Sequence, residues 1–231
     1  MKLYKRIALL CWGYFFFTAT ASAQHTICTQ TDSFALRMPK FSQIDLACGT
    51  APDTTDANVV FCTAAAFTGL IKPGFDHINI GGNHIASGTY HKGFKCGNNS
   101  GGFIYYTDGS WKFCNNDEYV TALQANNIAC AYGQCLVVYK GQTQEKYPKG
   151  PEHIAYYRVL CEKDDTLFFF ESTVAMPLWR FLLELEQMHV SNALYMEMGK
   201  DWDYTWWRNA NGTATVQHPI VNGSNWIVFK K

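Results

Sequence analysis

The stretch that decides the fold spans residues 154–199 and reads IAYYRVLCEKDDTLFFFESTVAMPLWRFLLELEQMHVSNALYMEMG. Its first half contains two segments, Ile154–Cys161 and Leu167–Glu171, that are rich in aromatic and β-branched residues and therefore predict strands. The polar residues 162–165 between them predict the loop of an antiparallel hairpin.

A four-residue loop would fix which side chains of this hairpin share a face. It pairs Arg158 with Phe169 and Tyr156 with Glu171, so that Tyr156, Arg158 and Glu171 point to one side of the sheet. Arg158 and Glu171 are then diagonal neighbours about 7–8 Å apart, within reach of long side chains. Two interpretations stay open. Arg158 and Glu171 form an inward ion pair with each other, or the Arg158 guanidinium binds a phosphate or carboxylate group of a ligand.

A helix is predicted after the hairpin. Pro177 suits a first helical turn, and the apolar residues that follow at helical spacing are Leu178, Phe181, Leu182 and Leu185. Asn192–Met196 then resumes as a strand. This order predicts a right-handed crossover between two parallel strands, which would place Glu171 and Glu197 at the same carboxyl edge of the sheet.

The remaining chain alternates strand signals with turns. Val59–Phe67 is a compact apolar run, and Asp108-Gly109 between two aromatic segments indicates a hairpin. Residues 24–57 are polar, with scattered apolar positions, and predict an irregular arm. We therefore predict an α+β fold: a mixed, twisted β-sheet with at least one β-α-β crossover and helices packed on it, in one domain over residues 24–231.

The composition excludes some functions. Of 231 residues, 48% are hydrophobic and 16% charged, and 19 basic residues balance 19 acidic ones, so no nucleic-acid partner is expected. The basic residues near Lys2, the apolar run 7–18 and Ala21-Ser22-Ala23 predict a signal peptide over residues 1–23 and export to a periplasmic or extracellular location. No segment is predicted to span a membrane, and nothing indicates an oligomeric state.

Export affects how the cysteines are interpreted. The chain has nine, and loss of Cys11 with the signal leaves eight, which permits up to four disulfides with the pairing open. A cysteine hydrolase is a weaker alternative. His77, His84 and His91 recur every seven residues, but a common ion would require turns at Gly81-Gly82 and at Gly88. We therefore predict no metal site and no cofactor, and ordinary hydrogen-bonded histidines.

Three segments together resemble a known family. Residues 192–199 read NALYMEMG after the strand pair that carries Arg158, residues 131–137 read AYGQCLV, and residues 63–67 read TAAAF. The phosphodiester glycosidase domain family has Asn-Ala-x-x-Leu-Asp-Gly-Gly, Gln-Ser-Gly-Pro-x-Leu-Val and Asn-Gly-Gly-x-Phe in these places, with an Arg on the strand pair. It includes the mannose 6-phosphate uncovering enzyme and many secreted bacterial proteins. The resemblance covers roughly residues 59–207.

The resemblance implies a secreted glycosidase-like hydrolase that acts on a sugar-1-phosphodiester bond. Arg158 would neutralise the phosphate, Glu197 would hold a sugar hydroxyl or act at the anomeric centre, and Glu171 would be a second carboxylate. The motif positions Thr63, Gly133 and Gly199 would then bind substrate. The expected partner is a carbohydrate or sugar phosphate.

The departures from the family pattern support a second interpretation. Thr63 replaces the amide, Glu197 replaces Asp, and Met198 replaces the first Gly of the terminal motif. Glu carries its carboxylate one methylene farther than Asp, which affects chemistry that depends on close positioning. A non-catalytic carbohydrate-binding or structural relative of the same fold is therefore the alternative.

An aromatic tail also points to a sugar. Trp202, Tyr204 and Trp206 alternate, so in a strand they would line one face and form a flat platform for a pyranose ring. Tyr156, on the face of Arg158 and Glu171, is a further candidate substrate-binding residue. The alternative is that these rings pack the core.

Overall fold

The structure is a computed structural model that describes residues 25–69, 74–97, 99–144, 152–220 and 222–231. The predicted signal peptide therefore lies outside the described residues. Strands predominate, since the described residues form nineteen strands, two α-helices and one 3₁₀ turn. Within the same ranges, neither helix is long and apolar enough to cross a membrane.

The elements follow one another in three groups. The first strands are β1 (Thr26–Gln30), β2 (Phe34–Pro39), β3 (Gln43–Cys48) and β4 (Val59–Ala64). After the 3₁₀ turn (His77–Asn79) come β5 (His84–Ala86), β6 (Thr89–His91), β7 (Gly101–Tyr106), β8 (Trp111–Asn115), α1 (Asn116–Ala122) and β9 (Ile128–Gln134). The rest are β10 (Leu136–Tyr139), β11 (Gln142–Thr143), β12 (Ile154–Ala155), β13 (Arg158–Lys163), β14 (Thr166–Ser172), β15 (Met176–Pro177), α2 (Leu178–Gln187), β16 (Asn192–Tyr195), β17 (Thr205–Arg208), β18 (Ala214–His218) and β19 (Asn225–Lys230).

The predicted α+β class is wrong, because antiparallel sheets build the molecule. A seven-stranded sheet has the order β1-β2-β14-β13-β16-β10-β11, and two five-stranded sheets have the orders β18-β17-β4-β19-β3 and β6-β5-β9-β7-β8; a short sheet pairs β12 with β15. Every pairing between these named strands is antiparallel. Residues 24–57, predicted as an arm, supply β1, β2 and β3, since pairing with distant strands overrides their weak local signal.

The crossover through α2 differs from the predicted one. β14 and β16 are both antiparallel to β13, which lies between them, so they run in the same direction without being neighbours. The helix itself is confirmed, and its buried residues are Leu178, Phe181, Leu182 and Leu185. The carboxyl ends of β14 and β16 thus share one edge of the seven-stranded sheet.

The β13–β14 hairpin has a tighter turn than predicted. Asp164 and Asp165 both have positive φ, 48° and 54°, so they form the two-residue turn, and Lys163 pairs with Thr166. The register therefore moves by two residues, and Arg158 lies directly opposite Glu171 rather than diagonal to it. Because the shift is even, both side chains keep the same face of the sheet.

The core lies between sheets. Phe61 of β4 stacks on Phe169 of β14 with ring centroids 4.3 Å apart, and Phe229 of β19 contacts Phe169 edge-on at 5.4 Å. On the other face of the seven-stranded sheet, Phe181 of α2 lies 5.4 Å from Phe170. This packing fixes the sheet edge at which β13, β14 and β16 present their polar residues.

Candidate active site

A buried ionic network lies at the open end of the β13–β14 hairpin. Arg158 Nε donates to Glu171 Oε2 at 2.7 Å, and Arg37 Nη1 donates to Glu171 Oε1 at 2.6 Å. Gln217 Nε2 donates to that same Oε1 at 2.6 Å. Arg158 is 0% exposed and Glu171 1% exposed. The carboxylate is therefore enclosed by donors from β2, β13 and β18.

The charge of this carboxylate follows from its partners. Burial by itself raises the pKa of Glu171, but the charges of Arg158 and Arg37, together with hydrogen bonds from Gln217 and Arg158, lower its pKa to about 2. Glu171 is thus an anion at neutral pH. It cannot donate a proton there, so a general-acid role does not suit it.

Arg158 joins the hairpin to the neighbouring five-stranded sheet. Its Nη1 donates to Thr63 Oγ1 at 2.7 Å and to the Asp203 carbonyl oxygen at 3.3 Å. The Thr63 hydroxyl also shares a 2.8 Å hydrogen bond with the Thr205 hydroxyl. Both Arg158 and Thr63 are fully buried. In this structure they contact other protein groups rather than an open surface.

A cavity of about 560 Å³ borders the network on its Arg37 side. The Arg37 guanidinium lies 4.3 Å from the centroid of the Trp207 ring, and His218 Nδ1 lies 3.1 Å from Asp203 Oδ2. Burial and then the charge of Arg158 lower the pKa of His218, while Asp203 opposes them. The lining residues are Gln30, Arg37, Tyr156, Ser172, Thr173, Met198, Asp203, Trp207, Gln217 and His218.

Glu197 lines a second cavity of about 330 Å³. Its Oε1 accepts a hydrogen bond from the Gly199 N–H at 2.9 Å, and its Oε2 accepts one from the Thr68 N–H at 3.2 Å. The Glu197 N–H donates to the Ala65 carbonyl oxygen at 2.9 Å. Backbone groups thus orient the carboxylate of Glu197, a buried residue that is 9% exposed as a whole. The other lining residues are Phe67, Thr68, Cys96, Val137, Ala155, Tyr156, Tyr157, Leu178, Tyr195, Met198 and Gly199.

The two cavities adjoin. Tyr156 and Met198 line both of them, and Tyr156 is 51% exposed. On the backbone, the Met196 N–H donates to the Arg158 carbonyl oxygen at 3.0 Å, which brings the end of β16 beside the start of β13. Arg37, a buried cation that is 4% exposed, and the Glu197 carboxylate therefore line two adjoining cavities.

The glycines predicted to bind substrate have different surroundings. Gly133 pairs with Gly102 across β7 and β9, and a Cβ there would lie 3.1 Å from Asn99 and 3.3 Å from Tyr119. It lines neither cavity. Gly199 lines the Glu197 cavity, where a Cβ would lie 3.2 Å from Glu197 Oε1.

The predicted aromatic platform is not assembled. Trp206 and Tyr204 are buried, and both donate hydrogen bonds to the Pro52 carbonyl oxygen, at 3.3 and 3.2 Å. They pack in a core cluster with Trp226. Trp202 is half-buried, and its backbone N–H donates to the Gly199 carbonyl oxygen at 2.9 Å.

Several cavity residues were missed by sequence reasoning. Arg37, Gln217 and His218 lie outside the range 59–207 that the family motifs cover, and Asp203 stands in no motif. Arg37 carries a weak signal, because it occupies a buried position of the alternating strand β2, on the same face as Ala35. A cation at an inward strand position calls for an anionic partner.

The cysteines form no disulfide in the described residues, which hold all eight as free thiols. Burial raises the pKa of the Cys62, Cys130 and Cys161 thiols well above the ordinary value. A thiolate nucleophile is disfavoured at these three positions. The structure therefore does not support the predicted disulfides. It also does not support a cysteine-hydrolase nucleophile at Cys62, Cys130 or Cys161.

No protein-family model and no curated protein sequence matches this chain. Among solved structures, the chain is similar to the catalytic domain of zebrafish N-acetylglucosamine-1-phosphodiester alpha-N-acetylglucosaminidase, solved in a form auto-inhibited by its pro-peptide. The TM-score is 0.61 at 12% identity, and the match covers 91% of this chain and 83% of that one. At this identity the likeness is one of fold, and at that level the resemblance to the uncovering enzyme is confirmed.

Proposed function

We propose that this protein is an exported glycosidase-like hydrolase that cleaves a sugar-1-phosphodiester. The observation that carries the proposal is the pair of adjoining cavities, because Arg37 lines one, Glu197 lines the other, and Tyr156 and Met198 line both. The fold shared with a phosphodiester glycosidase supports the same reaction class, as an analogy.

The phosphate would bind at the corner formed by Arg37. A guanidinium offers a fork of N–H donors that matches a phosphate, and Trp207 beneath it limits its orientation. His218 and Gln217 line the same cavity and would add polar contacts. The anionic half of the substrate thus has a cationic subsite.

The sugar would occupy the Glu197 cavity, which Tyr156 and Tyr195 line. Glu197 would act as the carboxylate at the anomeric carbon. Water adds its hydroxyl group to C1, the bond from C1 to the phosphodiester oxygen breaks, and its electron pair leaves with the phosphate. The remaining proton passes to a carboxylate or to solvent. The products are a free sugar and a phosphomonoester.

Arg158 and Glu171 take other roles in this proposal than the sequence assigned. Both are enclosed, so they do not touch substrate. Glu171 would instead be a positioning residue that holds Arg37 through the 2.6 Å ion pair. Arg158 would hold Glu171 through the 2.7 Å ion pair.

A second candidate is a non-catalytic sugar-phosphate-binding relative of the same fold. The observation that favours it is the enclosure of Arg158, the one family-matched cation, together with the Met198 side chain that lines both cavities where the family pattern has glycine. Such a protein would bind the same ligand without cleaving it.

The test uses the p-nitrophenyl phosphodiester of N-acetylglucosamine 1-phosphate as substrate for the purified protein in ¹⁸O-water. We expect release of reducing sugar that carries the label, and a loss of about 10²- to 10³-fold in kcat/KM for Glu197→Gln. Glu184→Gln on α2 is the matched control and should retain activity. Release of p-nitrophenol with sugar 1-phosphate would contradict the proposal, and binding without turnover would favour the second candidate.

A further inference from the structure

Three histidines that are separated along the chain meet beside Cys48. His77 begins the 3₁₀ turn, while His84 and His91 face each other across the β5–β6 hairpin. The hairpin turns at Ser87 and Gly88, whose φ angles of 48° and 74° fit a two-residue turn. Local turn chemistry therefore folds the seven-residue histidine spacing into a cluster.

The donor atoms of this cluster converge. His77 Nδ1 lies 2.9 Å from His84 Nε2. One ring nitrogen of His77, one ring nitrogen of His84 and Cys48 Sγ all lie within 4.8 Å of one another. A tetrahedral zinc ion, with bonds of about 2.0–2.1 Å to nitrogen and about 2.3 Å to sulfur, separates its ligand atoms by roughly 3.3–3.7 Å. The two hydrogen-bonded nitrogens would move apart by about 0.4 Å, and a pair at the 4.8 Å limit would approach by about 1.1–1.5 Å, so metal binding requires the side chains to adjust.

The surroundings orient the two imidazoles. His84 is fully buried, and its Nδ1 lies 3.2 Å from the Gly82 carbonyl oxygen. A proton on Nδ1 would be donated to that oxygen and would leave the lone pair of Nε2 directed at His77. A metal-binding histidine typically has such a backbone acceptor on its other nitrogen.

The third histidine, His91, packs against His77. The His77 and His91 rings are stacked, with centroids 3.4 Å apart and planes 7° from parallel. This contact limits rotation of the His77 ring. The backbone at Gly93 passes too close to Gly82 for any side chain, because a Cβ at Gly93 would lie 2.0 Å from the Gly82 carbonyl oxygen.

We propose that Cys48, His77 and His84 bind a divalent transition-metal ion of the zinc class. Thiolate and imidazole donors suit zinc rather than magnesium or calcium, which prefer oxygen ligands. The ion would join β3, the 3₁₀ turn and β5, and its fourth position would be taken by water. The cluster lines neither cavity of the candidate active site, so this proposal stands apart from the proposed hydrolase activity.

The first test is a zinc titration of the reduced, chelator-treated protein. We expect one equivalent to bind, and Cys48→Ser or His84→Asn to weaken the affinity by roughly 100-fold or more, since even outer partners of metal ligands contribute 10- to 100-fold. The matched controls are Cys28→Ser and His189→Asn, on an exposed cysteine and an exposed histidine. Variants that bind zinc as tightly as the controls would overturn the site.

A second measurement leaves the buried histidine unmodified. Cobalt bound to the intact chain should give the near-ultraviolet band of a cobalt–thiolate bond and the strong visible bands of a tetrahedral ion. Cys48→Ser should remove the first band, and Cys28→Ser should keep it. A spectrum of hydrated octahedral cobalt would instead mean that His77 and His84 form a hydrogen-bonded pair and no metal site.

Discussion

Glu171 and Glu197 lie at the carboxyl ends of two strands that run in the same direction, yet their surroundings differ. Glu171 accepts hydrogen bonds from Arg37, Arg158 and Gln217. Glu197 accepts them from two backbone N–H groups and lines a cavity. The arginine partners hold Glu171 in the protein interior, whereas Glu197 lines a cavity that a ligand could enter.

The contrast shows that position at a sheet edge does not decide a carboxylate's role. Both glutamates fit the same sequence expectation of a catalytic carboxylate. The hydrogen-bond donors described for them differ in kind: side-chain groups at Glu171 and backbone N–H groups at Glu197. The following predictions test this separation, beginning with the largest effect.

Removal of the Glu171 charge should destabilise the protein most. Glu171→Gln leaves Arg37 and Arg158 buried close together without their anion, and breaking a buried ion pair costs about 3–5 kcal/mol in the free energy of unfolding. Urea unfolding measures this loss. Glu197→Gln, as the matched control, should cost less. Equal losses for the two variants would remove the distinction.

Acid should erase part of that difference. The folded-state pKa of Glu171, about 2, lies below its ordinary value of 4.5, so the ionised group stabilises the fold above pH 4.5 and loses this contribution as the pH falls toward 2. The contribution amounts to about 3 kcal/mol. The gap in unfolding free energy between the unmodified protein and Glu171→Gln should therefore shrink between pH 5 and pH 2. A gap that does not change with pH would contradict the ion-pair account.

The hydroxyl of Thr63 should matter less, but measurably. Thr63→Val removes the acceptor of Arg158 Nη1 and the partner of the Thr205 hydroxyl, and unsatisfied buried groups cost about 1–3 kcal/mol. Thr68→Val near Glu197 is the control, because it loses one hydroxyl–hydroxyl hydrogen bond, to the part-buried pair with Ser224, but keeps the backbone N–H that donates to Glu197. Chemical unfolding of both variants should show the larger loss for Thr63→Val; the reverse order would contradict it.

Local sequence predicted some elements well. The apolar spacing after Pro177 indicated α2 and its buried residues, because helical periodicity acts within a few residues. The hairpin of β13 and β14 was also expected, but with the wrong loop length. Asp164 and Asp165 both adopt positive φ, a conformation that Asp tolerates, and this tightened the turn.

The fold class was harder to predict from the local sequence, because it depends on which strands pair. The polar residues 24–57 lack strong strand patterns, yet they form three strands by pairing with β14 and β19. Strand formation depends on a partner that the local sequence does not contain. The same limit hid Arg37, which reaches the candidate site only through β2.

The sequence by itself determined the features that depend on neighbours along the chain. These are α2, the existence of the β13–β14 hairpin, and the placement of Arg158 and Glu171 on one face of that hairpin. The tertiary structure alone decided that Arg37 meets Glu171 across 134 residues and that Glu197 lines a cavity. The physical reason is that backbone propensity and periodicity act locally. The burial and pairing of charge depend on which distant segments pack together.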